Sequence, residues 1–468
     1  MSFEYPKEVL EIANLANEHG GRAMLVGGAV RDQLMGLIPK DFDLEIYGIP
    51  ASKLRDLLER IGPLNAVGES FVVYKIGNHL DVSLPRRERK TGSGHKGFEV
   101  GSDPSMTFEE ASSRRDFTIN ALMRDVLTDE IVDCHGGERD LLNRVLRMVS
   151  EKSFAEDSLR VLRAVQFAAR FDLEIDPDTA AVCRSIPLDD LPKERIWGEI
   201  EKLLLKSLKP SKGIALMYAL GIAQKLFPEI EMLKGVPQEE EWHPEGDVDV
   251  HTMLVVDEAR KLIDDLPYPK KVTVMLGALC HDFGKPSTTL FEDGRIRSIG
   301  HDEAGVEPTV SFLDRLNIHT LEGYDVREQV IALVRHHLKP GMFFKASPPV
   351  GPGAFRRLSQ KVESDLLYRV AKADSLGRNP PWVPVEKHFG SEAMEWYIER
   401  VRELDVAEAP PKRLLLGRHL IELGLDPSPR FSEILSAVYE LQMDEAVTTT
   451  EEAIEAARKI ISGAVGGD

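Results

Sequence analysis

Three cysteines in 468 residues are too few and too scattered for a disulfide framework. Cys134, Cys183 and Cys280 are odd in number, far apart and outside any C-x-x-C spacing, which also excludes a cysteine-built structural zinc site. A basic surplus is missing too: Lys+Arg 59 against Asp+Glu 78 leaves a net charge of −19, so the chain does not coat a polyanion uniformly. Any nucleic-acid site must be a local basic patch. No stretch approaches the roughly 20 apolar residues needed to span a bilayer, and the opening MSFEYPKEVLEIANLANEHGG lacks a basic segment followed by an apolar core. A soluble chain with no export signal and no membrane partner, in a reducing cytoplasm, is the expectation. What is present is a 42% hydrophobic fraction, ample for globular cores, over a length that suggests about three domains at roughly 150 residues each.

Residues 1–149 alternate short β-rich runs with amphipathic segments, and residues 24–26, 42–47, 71–76 and 79–84 read as strands of an α/β head. From residue 153 the spacing turns helical and remains so, predicting an all-helical remainder. Two longer loops stand out, 85–113, rich in Gly, Arg and Lys, and 345–353, with PPVGPG. A composition break at 235–242, with the acidic run Glu239, Glu240 and Glu241, marks a candidate boundary between two helical parts.

In LVGGAVRD a strand ends in paired glycines and a helix begins at once. Gly27 and Gly28 let backbone N–H groups approach a phosphate, and Arg31 adds a charged fork, although a Gly-Gly turn is more often simply a tight connection. Ten residues on, Asp41 and Asp43 share one face of a strand, an arrangement whose repulsion a hard divalent cation such as Mg2+ relieves. Asp81, in the strand-like HLDVSL, is a candidate third acid; the plain alternative is an exposed strand face. RRDFTINAL, residues 114–122, reads as helix-like, with Arg115 able to hold a triphosphate and Asp116 a ribose hydroxyl, or else as an ion pair at a helix start. In EDSLRVLR, Asp157 and Arg160 are three apart on a helix and can present an acceptor and a donor to a base, against the alternative of a Glu156–Arg160 surface pair. Arg160, Arg163 and Arg170 recur near one helical face, and residues 144–170 hold six basic and three acidic residues, a local surplus of +3 where RNA or triphosphate should lie.

GGAVRD, DFD, RRDFTINAL, VDCHGGERDLLNRVLR and FAEDSLRVLRAVQFAARF occur in the order seen in class II tRNA nucleotidyltransferases, and residues 22 to 240 resemble a bacterial CCA-adding enzyme or its poly(A) polymerase sister. The resemblance implies a polymerase-β-like nucleotidyltransferase head in which Asp41 and Asp43 bind the catalytic metals. It also implies that Arg115 and Asp116 contact the nucleotide and that the 156–163 segment is the amino-acid template accepting C or A. Gln166 stands where many relatives place another Arg, so no triphosphate contact is assigned to it. The basic loop 85–100, with Arg86, Arg87, Arg89, Lys90 and Lys96, resembles the flexible loop with which full CCA-adders switch from C to A. A solvated basic loop is the other reading.

Seven of the thirteen histidines lie between residues 243 and 337. His281 and Asp282 are adjacent in LCHDFGKP, with His251 upstream and Asp374 downstream, and imidazole with carboxylate suits a metal centre open to phosphate and water. HPEGDVDVHT, CHDFGKP, GHDEAG and RHHLKP resemble the HD phosphohydrolase domain fused to some bacterial CCA-adding enzymes. That resemblance implies His251, His281, Asp282 and Asp374 as ligands of Mg2+, Mn2+ or Ni2+. It implies Lys285, His301 and His336 as contacts to substrate phosphate or a second metal.

The expected fold is α+β: a nucleotidyltransferase head (1–149), a helical neck and body with the base template and RNA binding (150–238), an HD domain (239–380) and a helical tail contacting the tRNA body (381–468). The expected activity is addition of CCA to tRNA 3′ ends from CTP and ATP, with catalytic Asp41, Asp43 and Asp81 and possible phosphatase or 2′,3′-cyclic phosphodiesterase activity in the HD domain. Two alternatives stay open: a poly(A) polymerase or partial CC- or A-adder, and an HD phosphohydrolase carrying a non-catalytic RNA-binding head. The sequence carries no reading of oligomeric state.

Overall fold

The computed structural model describes residues 5–67, 73–90 and 98–463. Phe71 of one expected strand and Lys96 of the basic loop lie outside these. The chain forms two compact units, Met1–Ser207 with Lys212–Leu226, and Leu208–Ser211 with Phe227–Asp468. The division falls ahead of the 235–242 composition break.

The first unit is built on a mixed sheet of seven strands: β1 (Arg22–Val26), β2 (Phe42–Tyr47), β3 (Asn65–Val67), β4 (Val73–Ile76), β5 (Leu80–Ser83) and, beyond a separate ribbon β6 (Arg86–Lys90) and β7 (Phe98–Ser102), β8 (Met123–Asp125) and β9 (Ile131–Val132). Its order is β3-β4-β5-β2-β1-β8-β9, with β2 and β5 the parallel pair. The period-2 alternation of β1 serves two cores. Ala23 and Leu25 join Leu44, Ile46 and the buried stripe Val9, Ile12, Ala13 and Ala16 of the helix Lys7–Glu18, while Met24 and Val26 pack with Tyr47, Met106 and Met123 on the other face.

Two expectations for this unit fail. The 85–113 loop contains the antiparallel ribbon β6–β7 and the helix Phe108–Ser112, which is closed by a capping box between Thr107 and Glu110. RRDFTINAL is not a helix beyond the single 3-10 turn Thr118–Asn120. Asp116 Oδ1 accepts from Phe117 N at 2.8 Å and Asn120 Nδ2 at 3.0 Å, and Thr118 N donates to Arg147 O at 2.9 Å, so side-chain and long-range bonds replace the helical ladder. The helix Leu159–Phe171 follows, burying Leu159, Leu162 and Val165 as its spacing requires.

The second unit is helical, with two small ribbons (Thr289–Glu292 with Arg295–Ser298, and Thr320–Leu321 with Tyr324–Asp325) interrupting what the periodicity read as helix throughout. The helices Val248–Lys261, Tyr268–Cys280, Val326–His336 and Ser364–Leu376 pack together. Gly277 allows one close approach: a Cβ there would sit 2.9 Å from Leu333 Cδ1. The helices Gly417–Glu422, Pro429–Met443 and Thr450–Ile461 enclose a small core of their own around Leu420, Ile434, Val438 and Ala453.

Candidate active site and metal centre

In the first unit β1 runs into Gly27, whose φ of +67° lies in the left-handed region and where a Cβ would meet Arg115 Nη1 at 3.1 Å. This turn opens onto a cavity of about 480 Å3 that brings together Gly27, Gly28, Arg31, Asp43, Arg115, Asp116, Asp157, Arg160 and Arg163. Ten basic side chains and three acidic ones line it. The positive patch that a chain of −19 needs for an anionic ligand is therefore concentrated in one place.

Each carboxylate in this cavity has a task. Asp43 and Asp81 are register partners across β2 and β5, and both face a smaller adjoining cavity of about 190 Å3 with Glu45, Arg114 and Arg115. Although Asp43 is open to solvent, desolvation by the protein around it raises its carboxyl, Arg115 opposes that, and Asp81 and Asp41 raise it further. Mutual repulsion of this kind suits a cation. Asp81, however, is clamped by Lys75 Nζ at 2.9 and 2.8 Å, and Asp41 stands exposed one residue ahead of β2. Asp116 is committed to Arg163, whose Nε and Nη2 lie 2.7 and 2.6 Å from Oδ2. Although burial opposes it, Arg163 holds the Asp116 carboxyl below its ordinary value.

Asp157 precedes the helix rather than lying on it. Its Oδ1 accepts from Leu159 N at 3.2 Å and its Oδ2 from Arg195 Nη2 at 2.8 Å. Arg160, on the first turn, donates to Ser153 O at 2.6 Å and Arg114 O at 2.7 Å, which fixes its guanidinium. Arg31 is also largely committed, to Asp32 at 2.6 and 2.9 Å and Asn120 Oδ1 at 2.6 Å, and stacks on Phe171. Gln166, given no contact on sequence grounds, lines the cavity at 2% exposure with Nε2 unbonded.

Two features escaped the sequence reading. Arg195, Lys202 and Lys206 line the cavity from the helix Lys193–Lys206, where their i, i+7, i+11 spacing on one face was the available signal. Glu45, two residues beyond Asp43 on the same strand, is 2% exposed. It accepts from Arg114 Nη2 at 3.1 Å, Arg115 Nη2 at 2.9 Å and Tyr47 OH at 2.9 Å, so it aims both arginines.

Among the described residues, the groups of three donors whose ligand atoms lie within 4.8 Å of one another all fall in the second unit: His251, His281 and Asp374; Asp282, His301 and His337; and His243, Glu245 and His251. Tautomers explain their fit to metal. His281, His301 and His337 donate Nδ1–H to the carbonyls of Ala278, Ser298 and Val334 at 2.7–2.8 Å, and His251 Nδ1 lies 2.7 Å from Glu245 Oε1. The Nε2 atoms of His281, His301 and His337 are thereby left facing inward, with His251 and His281 Nε2 3.3 Å apart and His301 and His337 Nε2 3.2 Å apart, while His251 Nε2 also lies 3.1 Å from Asp374 Oδ1. Two ring nitrogens this close are well placed to share a cation. Both oxygens of Asp282 are likewise buried without a well-formed hydrogen bond, although Lys285 Nζ lies 2.8 Å from Oδ2.

His337, not His336, completes the second group. The helix Val326–His336 turns its last residue toward Lys361, Lys339 and Arg335, and burial, together with those cations, lowers the His336 imidazole to about 4. Gly284, in HDFGK, is a further missed residue. A Cβ there would lie 2.0 Å from His301 O and 2.6 Å from Gly305 N, so only glycine lets the two segments meet and set His301 against Asp282.

The mixed sheet with its cationic cavity, continued by helices and joined to an HD-type histidine cluster, defines a nucleotidyltransferase with a fused HD domain. Matching family descriptions are the Poly A polymerase head domain at residues 23–147, the probable RNA and SrmB-binding site of polymerase A at 172–233, and the HD domain at 248–379. The chain belongs to the family of multifunctional CCA proteins. It is 39% identical to the one from Xanthomonas campestris pv. campestris over 324 residues, 67% of this chain and 74% of that one. To the one from Nitrosococcus oceani it is 37% identical over 368 residues, 76% and 84% of the two chains. Its fold is similar to that of the Bacillus stearothermophilus CCA-adding enzyme solved with CTP, at a TM-score of 0.65 and 20% identity over 98% of this chain and all of that one.

Proposed function

We propose that the chain adds C, C and A to the 3′ end of tRNA from CTP and ATP, releasing pyrophosphate. The observation that carries this is the 480 Å3 cavity, whose lining brings ten cations together with Asp43, Asp157 and Arg160. Relatives named multifunctional CCA protein support it. Arg115, aimed by Glu45, holds the triphosphate at the Gly27–Gly28 turn, and the fixed edges of Asp157 and Arg160 read the base. The tRNA 3′-hydroxyl attacks the α-phosphorus, the bond to the β-phosphate oxygen breaks, and pyrophosphate leaves. Mg2+ held by Asp41 and Asp43, when bound, neutralises charge on the α-phosphate. Asp81 acts through Lys75 and the Asp43 carboxyl.

The second unit supports a second activity, metal-dependent hydrolysis of phosphate esters at RNA ends, because its Nε2 lone pairs and the Asp282 oxygens converge. His251, His281, Asp282 and Asp374 hold the ion, Mg2+, Mn2+ or Ni2+, and His301 and His337 face a second position, with Lys285 set for phosphate. The four-part division at 149, 238 and 380 is part of the same reading, with the 381–468 tail contacting the tRNA body. No helix among the described residues is long and apolar enough to cross a membrane.

Purified protein with Mg2+ and tRNA transcripts ending before CCA, after C and after CC, supplied with CTP and ATP separately and together, tests the reading. Ordered addition that stops after A supports it. C alone or A alone marks a partial adder, an open-ended A ladder a poly(A) polymerase. No incorporation leaves the HD unit as the working enzyme.

A further inference from the structure

We propose that Trp242 is a nucleobase platform at the mouth of the histidine cavity, so that the site takes phosphate esters of nucleosides in preference to those of simple alcohols. The proposal rests on the phosphohydrolase reading above and adds to it a residue that selects the substrate.

The cavity is small. At about 230 Å3 it falls below the roughly 300–1,000 Å3 usual for sites that enclose a ligand. It holds the phosphate-bearing end of a substrate, beside Lys285, Arg378 and the inward Nε2 atoms, and the rest must extend past the rim. Trp242 stands on that rim, lining the cavity while 45% exposed. A tryptophan that served only to fill a core would be covered; this one offers an indole face to whatever leaves the cavity.

The turn that carries the indole is held in place. Trp242 N and His243 N both donate to Glu239 O, at 3.0 and 2.9 Å, and Glu239 Oε2 accepts from Ile296 N at 2.8 Å, which clips the turn to the neighbouring ribbon. Around it an aromatic and cationic series runs outward from the metal cluster. Arg378 Nη2 bonds Asp374 Oδ1 at 3.2 Å and its guanidinium lies 5.3 Å from the Phe389 centroid. Phe389 lies 6.4 Å from the Trp242 ring at 38°, and Lys345 Nζ is 5.6 Å from the indole centroid. Flat π-faces beside cations are what stacks a base without reading its sequence, and a nucleoside whose phosphate is fixed at the cluster carries its base out past the rim on which Trp242 stands. The chemistry is simple hydrolysis: water oxygen bonds phosphorus, the P–O bond to the ribose breaks, and the ribose oxygen leaves with a proton.

The test compares adenosine 2′-phosphate with glycerol 2-phosphate, which has no base, using the full chain with Mn2+, Ni2+ or Mg2+. We expect Trp242→Ala to raise the KM for the nucleotide about 5- to 150-fold, the range of one base–aromatic stack, with kcat little changed. Trp242→Phe should recover most of it, and the glycerol phosphate KM should be the same in all three proteins. Equal losses on both substrates, or none on the nucleotide, overturn the proposal. Hydrolysis of neither substrate by the wild type overturns the hydrolase reading instead. Titration calorimetry with adenosine 2′-phosphate then decides the platform: binding heat that disappears in Trp242→Ala retains it, and identical isotherms reject it.

Discussion

Glu45→Gln isolates the carboxylate that aims Arg114 and Arg115. The substitution keeps an acceptor at Oε1, 3.1 and 2.9 Å from the two guanidiniums, but removes the charge. Hydrogen bonds to a charged group contribute about 1.5–3 kcal/mol and neutral ones about 0.5–1.5. Two such bonds losing about 1 kcal/mol each destabilise the first unit by about 2 kcal/mol. The pair is well shielded, with side-chain exposures of 3% for Glu45 and 18% and 24% for the arginines, so solvent screening removes little of this. For a unit of this size the thermal midpoint should fall by about 4–8 °C. With both arginines held less firmly, the KM for CTP and for ATP should rise together by roughly tenfold or more, since neither arginine reads the base. Glu45→Ala, leaving the arginines without their carboxylate, should cost about 3–5 kcal/mol. Calorimetric unfolding and single-nucleotide incorporation check both. An unchanged midpoint and unchanged KM in Glu45→Gln would refute the role given to Glu45.

Gly284→Ala places a Cβ 2.0 Å from His301 O; bound Mn2+ or Ni2+, measured by plasma emission after dialysis, should fall while nucleotide incorporation persists. His337→Ala should lose metal in the same assay and His336→Ala should retain it; the reverse result would restore the order read from sequence. Asp116 has a depressed carboxyl, so its stabilisation is complete above the unfolded value of about 3.9 and is lost as pH falls through the lower folded value. The midpoint gap between wild type and Asp116→Asn should accordingly narrow on going from pH 6 to pH 2.5, and a constant gap would contradict the Arg163–Asp116 account. Gln166→Leu removes a buried amide nitrogen that makes no hydrogen bond, so stability should hold or rise while kcat/KM for nucleotide falls; unchanged kinetics would make the amide merely structural.

The strand that carries the acids was legible from its β-rich composition, with Asp41 and Asp43 exposed on either side of buried Phe42 and ahead of the buried run Leu44 to Tyr47. RRDFTINAL was not, because its apolar spacing mimics a helix while Asp116 and Thr118 spend their bonds on Asn120, Asp140 and Arg147. The β6–β7 ribbon was read as loop because RRERK carries charge on both faces and leaves no alternation to see. The cluster of histidines announced a metal centre, but two adjacent histidines at a helix end point in different directions, and only the packed helices show that His337 faces Asp282 and His301. Glycines contribute least to a pattern search: Gly284 matters for the backbone it lets through, which no property of its own neighbours in sequence reveals.

Net charge and local charge pull in opposite directions in this chain, and the carboxylates reconcile them. Ten cations around one cavity repel one another, yet several of its arginines are held by acids: Arg163 by Asp116, Arg195 by Asp157, Arg31 by Asp32, and both Arg114 and Arg115 by Glu45. Each pair lowers the repulsion and fixes a guanidinium before any ligand arrives, so a triphosphate meets donors already oriented and loses less freedom on binding. A carboxylate that tethers an arginine at one edge leaves its other N–H groups for phosphate. The acidic excess elsewhere then discourages polyanions from settling outside the cavity. The sign of the cavity, and not of the chain, thus decides where the triphosphate binds.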